Sequence, residues 1–255
     1  MASSINSFGD GSNMALINLE NIHFSYSGSE PVLNNLSFQF HAKDKIGLIG
    51  PNGSGKTTLF HIIMGLLKPA SGKIEIFGDQ MKEEKDFGLI RQKIGLLFQD
   101  ADDQLFSPTV LEDVAFGPLN LGRSKQEAID IAKQTLKTLG LEGFEERITY
   151  KLSGGEKRLV SLATVLAMKP AILLLDEPTS GLDDSTKSRL TEALSNLDLS
   201  YIVISHEFDF LSETTSAVYS MKAGKIQLDK ELHLHRHAHL HPYGDHPHEH
   251  KNSER

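Results

Sequence analysis

The chain has 255 residues, 39% of them hydrophobic and 24% charged, the balance of a soluble globular protein long enough to bury a substantial core. Its formal net charge of -8 argues against a surface built to neutralise nucleic-acid phosphates, and its lack of cysteine excludes disulfides, thiolate metal sites and thiol catalysis. No apolar run approaches the roughly 18 residues of a membrane span.

Residues 1–14, opening MASSINSFGDGSN, hold neither a basic region nor an apolar stretch, so they read as a disordered N-terminus and not as a signal peptide. Ordered sequence is expected from Ala15, and its first part looks β-rich. ALINLENIHFSY and NLSFQF carry alternating apolar positions, broken by the turn-type cluster SGSEP. KIGLIG at 45–50 is a short apolar run of the kind buried on both faces of a parallel sheet, and AILLLDE (171–177) and SYIVISHE (200–207) match it. Helical patterns separate these runs, which predicts an α/β sheet fed by crossovers. Between Gln99 and Ser153 the pattern turns mostly helical, as an inserted subdomain of about residues 100–155 would. In its clearest stretch, SKQEAIDIAKQTLKTLG, Ser124 and Glu127 form a capping box and Gly140 sits where a C-cap belongs. Ile129, Ala132, Leu136 and Leu139 there share one apolar face.

The chemistry begins where the first run ends. GPNGSGKTT (50–58) fits the spacing G-x-x-x-x-G-K-[ST], with Gly50, Gly55, Lys56 and Thr57 at the fixed positions and Pro51, Asn52, Gly53, Ser54 and Thr58 completing the loop. A strand precedes it and the apolar helix TLFHIIMGLL follows, the context the motif requires. Such a loop lets backbone N–H groups wrap phosphates at a helix N-terminus, while Lys56 reaches the β- and γ-phosphates and the Thr57 hydroxyl binds Mg2+. The second run ends in Asp176, a carboxylate suited to hold Mg2+ through water, and Glu177, suited to polarise the attacking water. His206 closes the third run; a lone histidine is usually structural, but at the end of a strand in the same sheet it can sit near the γ-phosphate. In LSGGEKR (152–158), Ser153, Gly154 and Gly155 precede a helical run and predict a second anion-binding helix start. The chain's own loop already wraps one nucleotide. The second start therefore fits a nucleotide held by another subunit, which implies a two-fold dimer with shared sites.

Together these motifs resemble those of the ATP-binding cassette ATPases, over residues 16–228 and in the family's order: Tyr26, the phosphate loop, Gln99 in FQD, LSGGE, LLLDEPTSGLD and His206. The resemblance implies a P-loop NTPase of the α/β class, with a β-rich N-terminal subdomain, a RecA-like core and an inserted helical subdomain. It implies that Tyr26 stacks on adenine, that Glu177 is the catalytic base, that His206 is a switch histidine and that Gln99 senses Mg2+ and water. By the same resemblance Asp183 is the acid of the loop after the carboxylates. Ser153 and Gly155, with Gly154 and Glu156 beside them, meet the ATP of the opposite subunit. Glu156 stands where many members have Gln. ATP and Mg2+ are the implied cofactors.

A cassette without a membrane span must pass its work to separate integral membrane subunits. The resemblance implies docking through the Gln99 loop and the helical subdomain, at the cytoplasmic face of the cell membrane. DDQLF, followed by VLEDVAFGPLNLG, is similar to the energy-coupling-factor importers, especially their cobalt and nickel branch, although those often have Pro at the place of Ala101. Asp102 and Asp103 also suit a cap for the next helix. The stretch 229–255 carries His233, His235, His237, His239, His241, His246, His248 and His250, eight of the chain's 12 histidines. Imidazole suits nickel, cobalt and zinc, so this tail is expected to bind Ni2+, Co2+ or Zn2+ and to buffer, store or sense an arriving metal. The resulting expectation is the ATPase of a nickel or cobalt importer, working as a homodimer and binding no nucleic acid. One alternative is a vitamin importer with an incidental tail. A soluble cassette acting on DNA or ribosomes is disfavoured by the acidity and by the lack of a coiled-coil insertion. A metal store with a vestigial ATPase is disfavoured because every catalytic position is intact.

Overall fold

A computed structural model describes residues 15–28 and 30–229; the expected disordered N-terminus and the tail histidines lie outside them. In chain order the strands are β1 (Ala15–Phe24), β2 (Leu33–His41), β3 (Lys45–Ile49), β4 (Ser71–Ile76) and β5 (Asp79–Met81). They continue with β6 (Ile94–Leu97), β7 (Ile172–Asp176), β8 (Ser200–Ile204), β9 (Ala217–Lys222) and β10 (Lys225–Leu228). An antiparallel sheet has the order β2-β1-β4-β5, and a second sheet the order β10-β9-β3-β8-β7-β6. In the second sheet every pairing is parallel except that of β10 with β9.

Side chains alternate between the faces of a strand, so each central strand serves two cores. Ile172 and Leu174 of β7, with Ile202 and Ile204 of β8, pack toward the antiparallel sheet and α1 (Lys56–Ile63). Leu173 and Leu175, with Tyr201 and Val203, pack under the helices of the other face. All eight are buried, which is why these strands read as unbroken apolar runs and not as alternating ones. The mixed α/β fold expected from the sequence is the one observed.

The helices are α2 (Glu84–Ile90), α3 (Val110–Asn120), α4 (Lys125–Thr138), α5 (Gly154–Leu166), α6 (Asp184–Ser195) and α7 (Phe208–Thr214). At the start of α4 the Ser124 hydroxyl accepts from the Glu127 amide, and the Glu127 carboxylate accepts from the Ser124 amide at 2.8 Å. Gly140 follows its C-cap at a φ of 64°. The buried face of α4 differs from expectation by one position. Ala128, Ala132 and Leu136 are buried at steps of four, with Leu139 after them, while Ile129 is only half-buried. Nor do Asp102 and Asp103 cap α3. Thr109 does so, in a capping box with Glu112, and the two aspartates sit in a 3-10 turn capped by Asp100, where Asp102 pairs with Lys157. No helix among the described residues is long and apolar enough to cross a membrane.

Parallel pairing of β3, β8, β7 and β6 as neighbours brings their C-termini to one edge. In open α/β sheets that edge is where ligands bind. The phosphate loop leaves β3, Asp176 ends β7, His206 follows β8 and Gln99 follows β6.

Candidate nucleotide site

Residues 50–55 turn from β3 into α1, and Gly55, the N-cap of α1, offers no side chain to occupy the first amides. Those N–H groups are unsatisfied within the helix and attract anions. Lys56 is only 7% exposed, and its Nζ donates to the carbonyls of Gly50 at 2.7 Å and Pro51 at 3.2 Å. Burial pushes its pKa down, against the opposing pull of Glu177 and Asp176. The Ser54 hydroxyl is buried with no hydrogen-bond partner among the described residues, a polar atom prepared for something to bind.

Asp176 is buried at the end of β7 and hydrogen-bonds to Thr57. Burial pushes its carboxyl pKa up, opposed by Thr57, His61, Lys56 and Arg158. Glu177 leaves the strand at a φ of 45°, a left-handed conformation held by its amide bond to the Ile204 carbonyl at 3.0 Å. Its Oε1 lies 3.1 Å from Nε2 of His206. Burial also pushes the Glu177 pKa up, with His206 acting in the opposite direction. His206 does not end β8 as expected; the strand stops at Ile204, and the loop beyond carries the imidazole across to Glu177.

Gln99 is exposed, and its backbone is anchored from beneath. Arg158 of α5, 6% exposed, donates to the Phe98 carbonyl at 2.6 Å and also to the Gln99 carbonyl. The Tyr26 hydroxyl lies 3.1 Å from the Thr58 hydroxyl, with its ring edge-on to Phe24. Tyr26, Asn52, Lys56, Thr57, Gln99 and Glu177 line a cleft of about 580 Å³, which Val32, Gly53, Gly55, Thr58, Asp176 and Ile204 complete. That volume is within the range of small-molecule sites. A neighbouring cleft of about 600 Å³ shares Thr57, Gln99 and Asp176.

Ser153, Gly154, Gly155 and Glu156 line neither cleft. Ser153 caps α5 and is exposed, as is Gly154. Asp183 is spent on capping α6: it accepts from the Ser185 and Thr186 hydroxyls and the Thr186 amide, which hold its carboxyl well below the usual range. His233, His235, His237, His239, His241, His246, His248 and His250 lie outside the described residues.

The residues present fit Mg2+ with a nucleoside triphosphate. Thr57, Asp176 and Gln99 offer hard oxygen donors, and the uncapped α1 amides and the partnerless Ser54 hydroxyl offer phosphate contacts. Two contributors were not identified from the sequence. His61 lies one turn along α1 from Thr57 and acts on Asp176. Arg158 was legible: with Leu162 and Val165 it falls at i, i+4 and i+7 on the buried face of α5.

A buried carboxylate with a raised pKa costs stability when ionised. Asp176→Asn is therefore expected to stabilise the nucleotide-free protein by about 1 kcal/mol, roughly 2–4 °C in melting temperature. Because the folded pKa is raised, the penalty is complete above it and vanishes as the carboxyl protonates. The difference between the two proteins should be widest well above the ordinary aspartate range and close as the pH falls toward it, about pH 4. Calorimetry of both across that range checks the sign, and an Asp176→Asn protein melting lower at pH 8 overturns it.

The chain matches the ABC transporter family over residues 33–180. It is 51% identical over 210 residues to a protein of Nitratidesulfovibrio vulgaris provisionally named an ABC transporter ATP-binding protein, covering 82% of this chain and 77% of that one. It is 41% identical over 215 residues to the energy-coupling factor transporter ATP-binding protein EcfA of Methanothermobacter thermautotrophicus, covering 83% and 69%. Among solved structures, an ATP-binding cassette seen as a dimer in a post-hydrolysis state with ADP and Pi superposes with a TM-score of 0.77 at 28% identity, over 84% of this chain and 98% of that one. Family match and site geometry agree on one conclusion: the chain belongs to the ABC transporter family and is an ATPase that uses ATP and Mg2+.

Proposed function

We propose that the chain is the motor subunit of an energy-coupling-factor importer, that it works as a homodimer with ATP sandwiched between the copies, and that its cargo is nickel or cobalt. The observation that carries the dimer is a separation. Lys56, Asp176, Glu177, Gln99 and Tyr26 share one cleft, while the helix start at Ser153 stands outside it with Ser153 and Gly154 exposed. A second copy, turned about a two-fold axis, brings its own Ser153–Glu156 segment over the nucleotide. The dimeric cassette with ADP and Pi supports this arrangement.

In this reading Tyr26 offers its ring to adenine, and the α1 amides with Ser54 receive the phosphates. Lys56 exchanges the Gly50 and Pro51 carbonyls for phosphate oxygens. Thr57, Gln99 and Asp176 would hold Mg2+, which when bound would supply positive charge to neutralise the phosphate oxygens. Glu177, made more basic by burial, takes the proton of the attacking water. His206 orients that carboxylate from 3.1 Å. ATP closes the dimer and hydrolysis reopens it, a shift between two states that the membrane subunits read.

A surface for those subunits is supported by the groove of about 330 Å³ where Phe106 and Phe116, both exposed, meet Leu66, Met168 and Gln104. The protein then sits peripherally on the cytoplasmic face of the membrane. The importer class is supported by DDQLF and by the relative named for energy coupling. The cargo rests on the tail, as imidazoles suit nickel and cobalt.

Uptake of Ni2+ and Co2+ by cells carrying this chain with the membrane subunits encoded beside it tests the reading. The comparison is between intact protein, Glu177→Gln and a truncation after Asp229. Metal uptake lost in Glu177→Gln is expected, and the truncation then shows what the histidines contribute. Metal uptake by none of them, with vitamin uptake by the intact protein, overturns the cargo and favours the vitamin importer.

A further inference from the structure

The helix start that meets the partner's nucleotide carries a carboxylate. Glu156 is the third residue of α5, and its Oε2 accepts from the Ser153 amide at 2.8 Å. An anion in the first turn suits the helix dipole, yet at a site that must also receive a triphosphate it adds charge of the wrong sign. Gln, with the same shape, would accept the same amide without that charge.

Arg147 answers the conflict. Its Nη1 donates to Glu156 Oε1 at 2.7 Å and its Nη2 to Oε2 at 3.1 Å, a parallel two-bond fork. The guanidinium also lies 4.1 Å above the Phe144 ring. Its main chain is fixed at both ends: the Arg147 amide donates to Phe144, and its carbonyl accepts from the Val110 amide at the start of α3. The pair is only half-buried, so its meaning is not that of a stability device.

We propose that Arg147 is a positioning residue for the half-site that one copy offers to the other's ATP: it cancels the Glu156 charge and holds that carboxylate back, leaving the Ser153 hydroxyl and the Gly154 and Gly155 amides to the phosphates. The proposal rests on the shared-site dimer proposed above. It predicts that losing Arg147 harms dimer closure and not nucleotide binding by the separate chain, and that Glu156→Gln repairs the harm.

The test uses the full chain with Glu177→Gln, in which ATP should hold the dimer closed, and measures ATP-dependent dimerisation by sedimentation over a range of protein concentrations. Adding Arg147→Gln is expected to weaken the dimer by about tenfold or more, while fluorescent-ATP binding to the monomer and the melting temperature stay close to the parent. Adding Glu156→Gln to that protein is expected to restore dimerisation to within about threefold. Arg147→Lys, which keeps the charge but loses the fork, should fall between. An unchanged dimer in Arg147→Gln overturns the proposal, as does a loss that Glu156→Gln fails to repair, which marks Arg147 as merely structural. A Glu177→Gln parent that binds ATP and stays monomeric overturns the shared-site reading itself.

Discussion

Glu177→Gln is expected to bind ATP as tightly as the parent and to hydrolyse it at least about 10²-fold more slowly. The amide keeps the shape of the carboxyl, and the left-handed backbone at Glu177 is set by the Ile204 carbonyl and not by the side chain. What is lost is the capacity to take a proton. In the parent, burial raises the basicity of Glu177 while His206 holds its Oε1 from 3.1 Å, so the group is both aimed and more basic than a solvated glutamate. Phosphate release beside fluorescent-ATP titration separates the effects, since a residue acting only in the transition state lowers kcat without raising KM. Parent-level hydrolysis in the variant would remove Glu177 from the role of base.

Gly50→Ala is the most damaging single methyl group that the site can receive. Gly50 has a φ of 151°, and a Cβ there would stand 2.3 Å from the Met221 carbonyl oxygen. That oxygen belongs to β9, which pairs with β3 one residue before the loop, at Ile49 and Ser220. Neither strand can retreat without breaking the ladder. A loss of roughly 2–5 kcal/mol is expected, with ATP affinity falling too because the Gly50 carbonyl anchors Lys56. Gly53→Ala is the control: its φ is 78°, but nothing among the described residues lies within 4 Å of the added carbon. Denaturant midpoints of the two variants decide the matter. Equal losses would mean that backbone strain, not the close approach, governs the loop.

The phosphate loop, the carboxylate pair and LSGGE were legible because each is contiguous and its chemistry depends on neighbours in sequence. The central strands were legible from unbroken apolar runs, but β6 was passed over although KIGLL at 93–97 nearly repeats KIGLI at 45–49. Strands β4, β5, β9 and β10 are short and mixed in polarity, since their pairing is set by partners distant in the chain. The same holds for the meeting of Glu177 with His206, and for Ala128 taking the place expected of Ile129, where the packing of neighbouring helices decides which edge of α4 is covered. Asp183 illustrates a local rule: three residues ahead of Thr186, it is a helix cap whatever else it does.

The grip of Arg158 on the Phe98 and Gln99 carbonyls ties the start of the Gln99 loop to α5. A buried guanidinium that loses its acceptors leaves desolvated N–H donors unpaired, so a tilt of α5 that left the loop behind is costly. Any displacement of α5 is therefore expected to carry Gln99 with it, so that the helix start at Ser153 and the glutamine on the cleft wall travel as one piece.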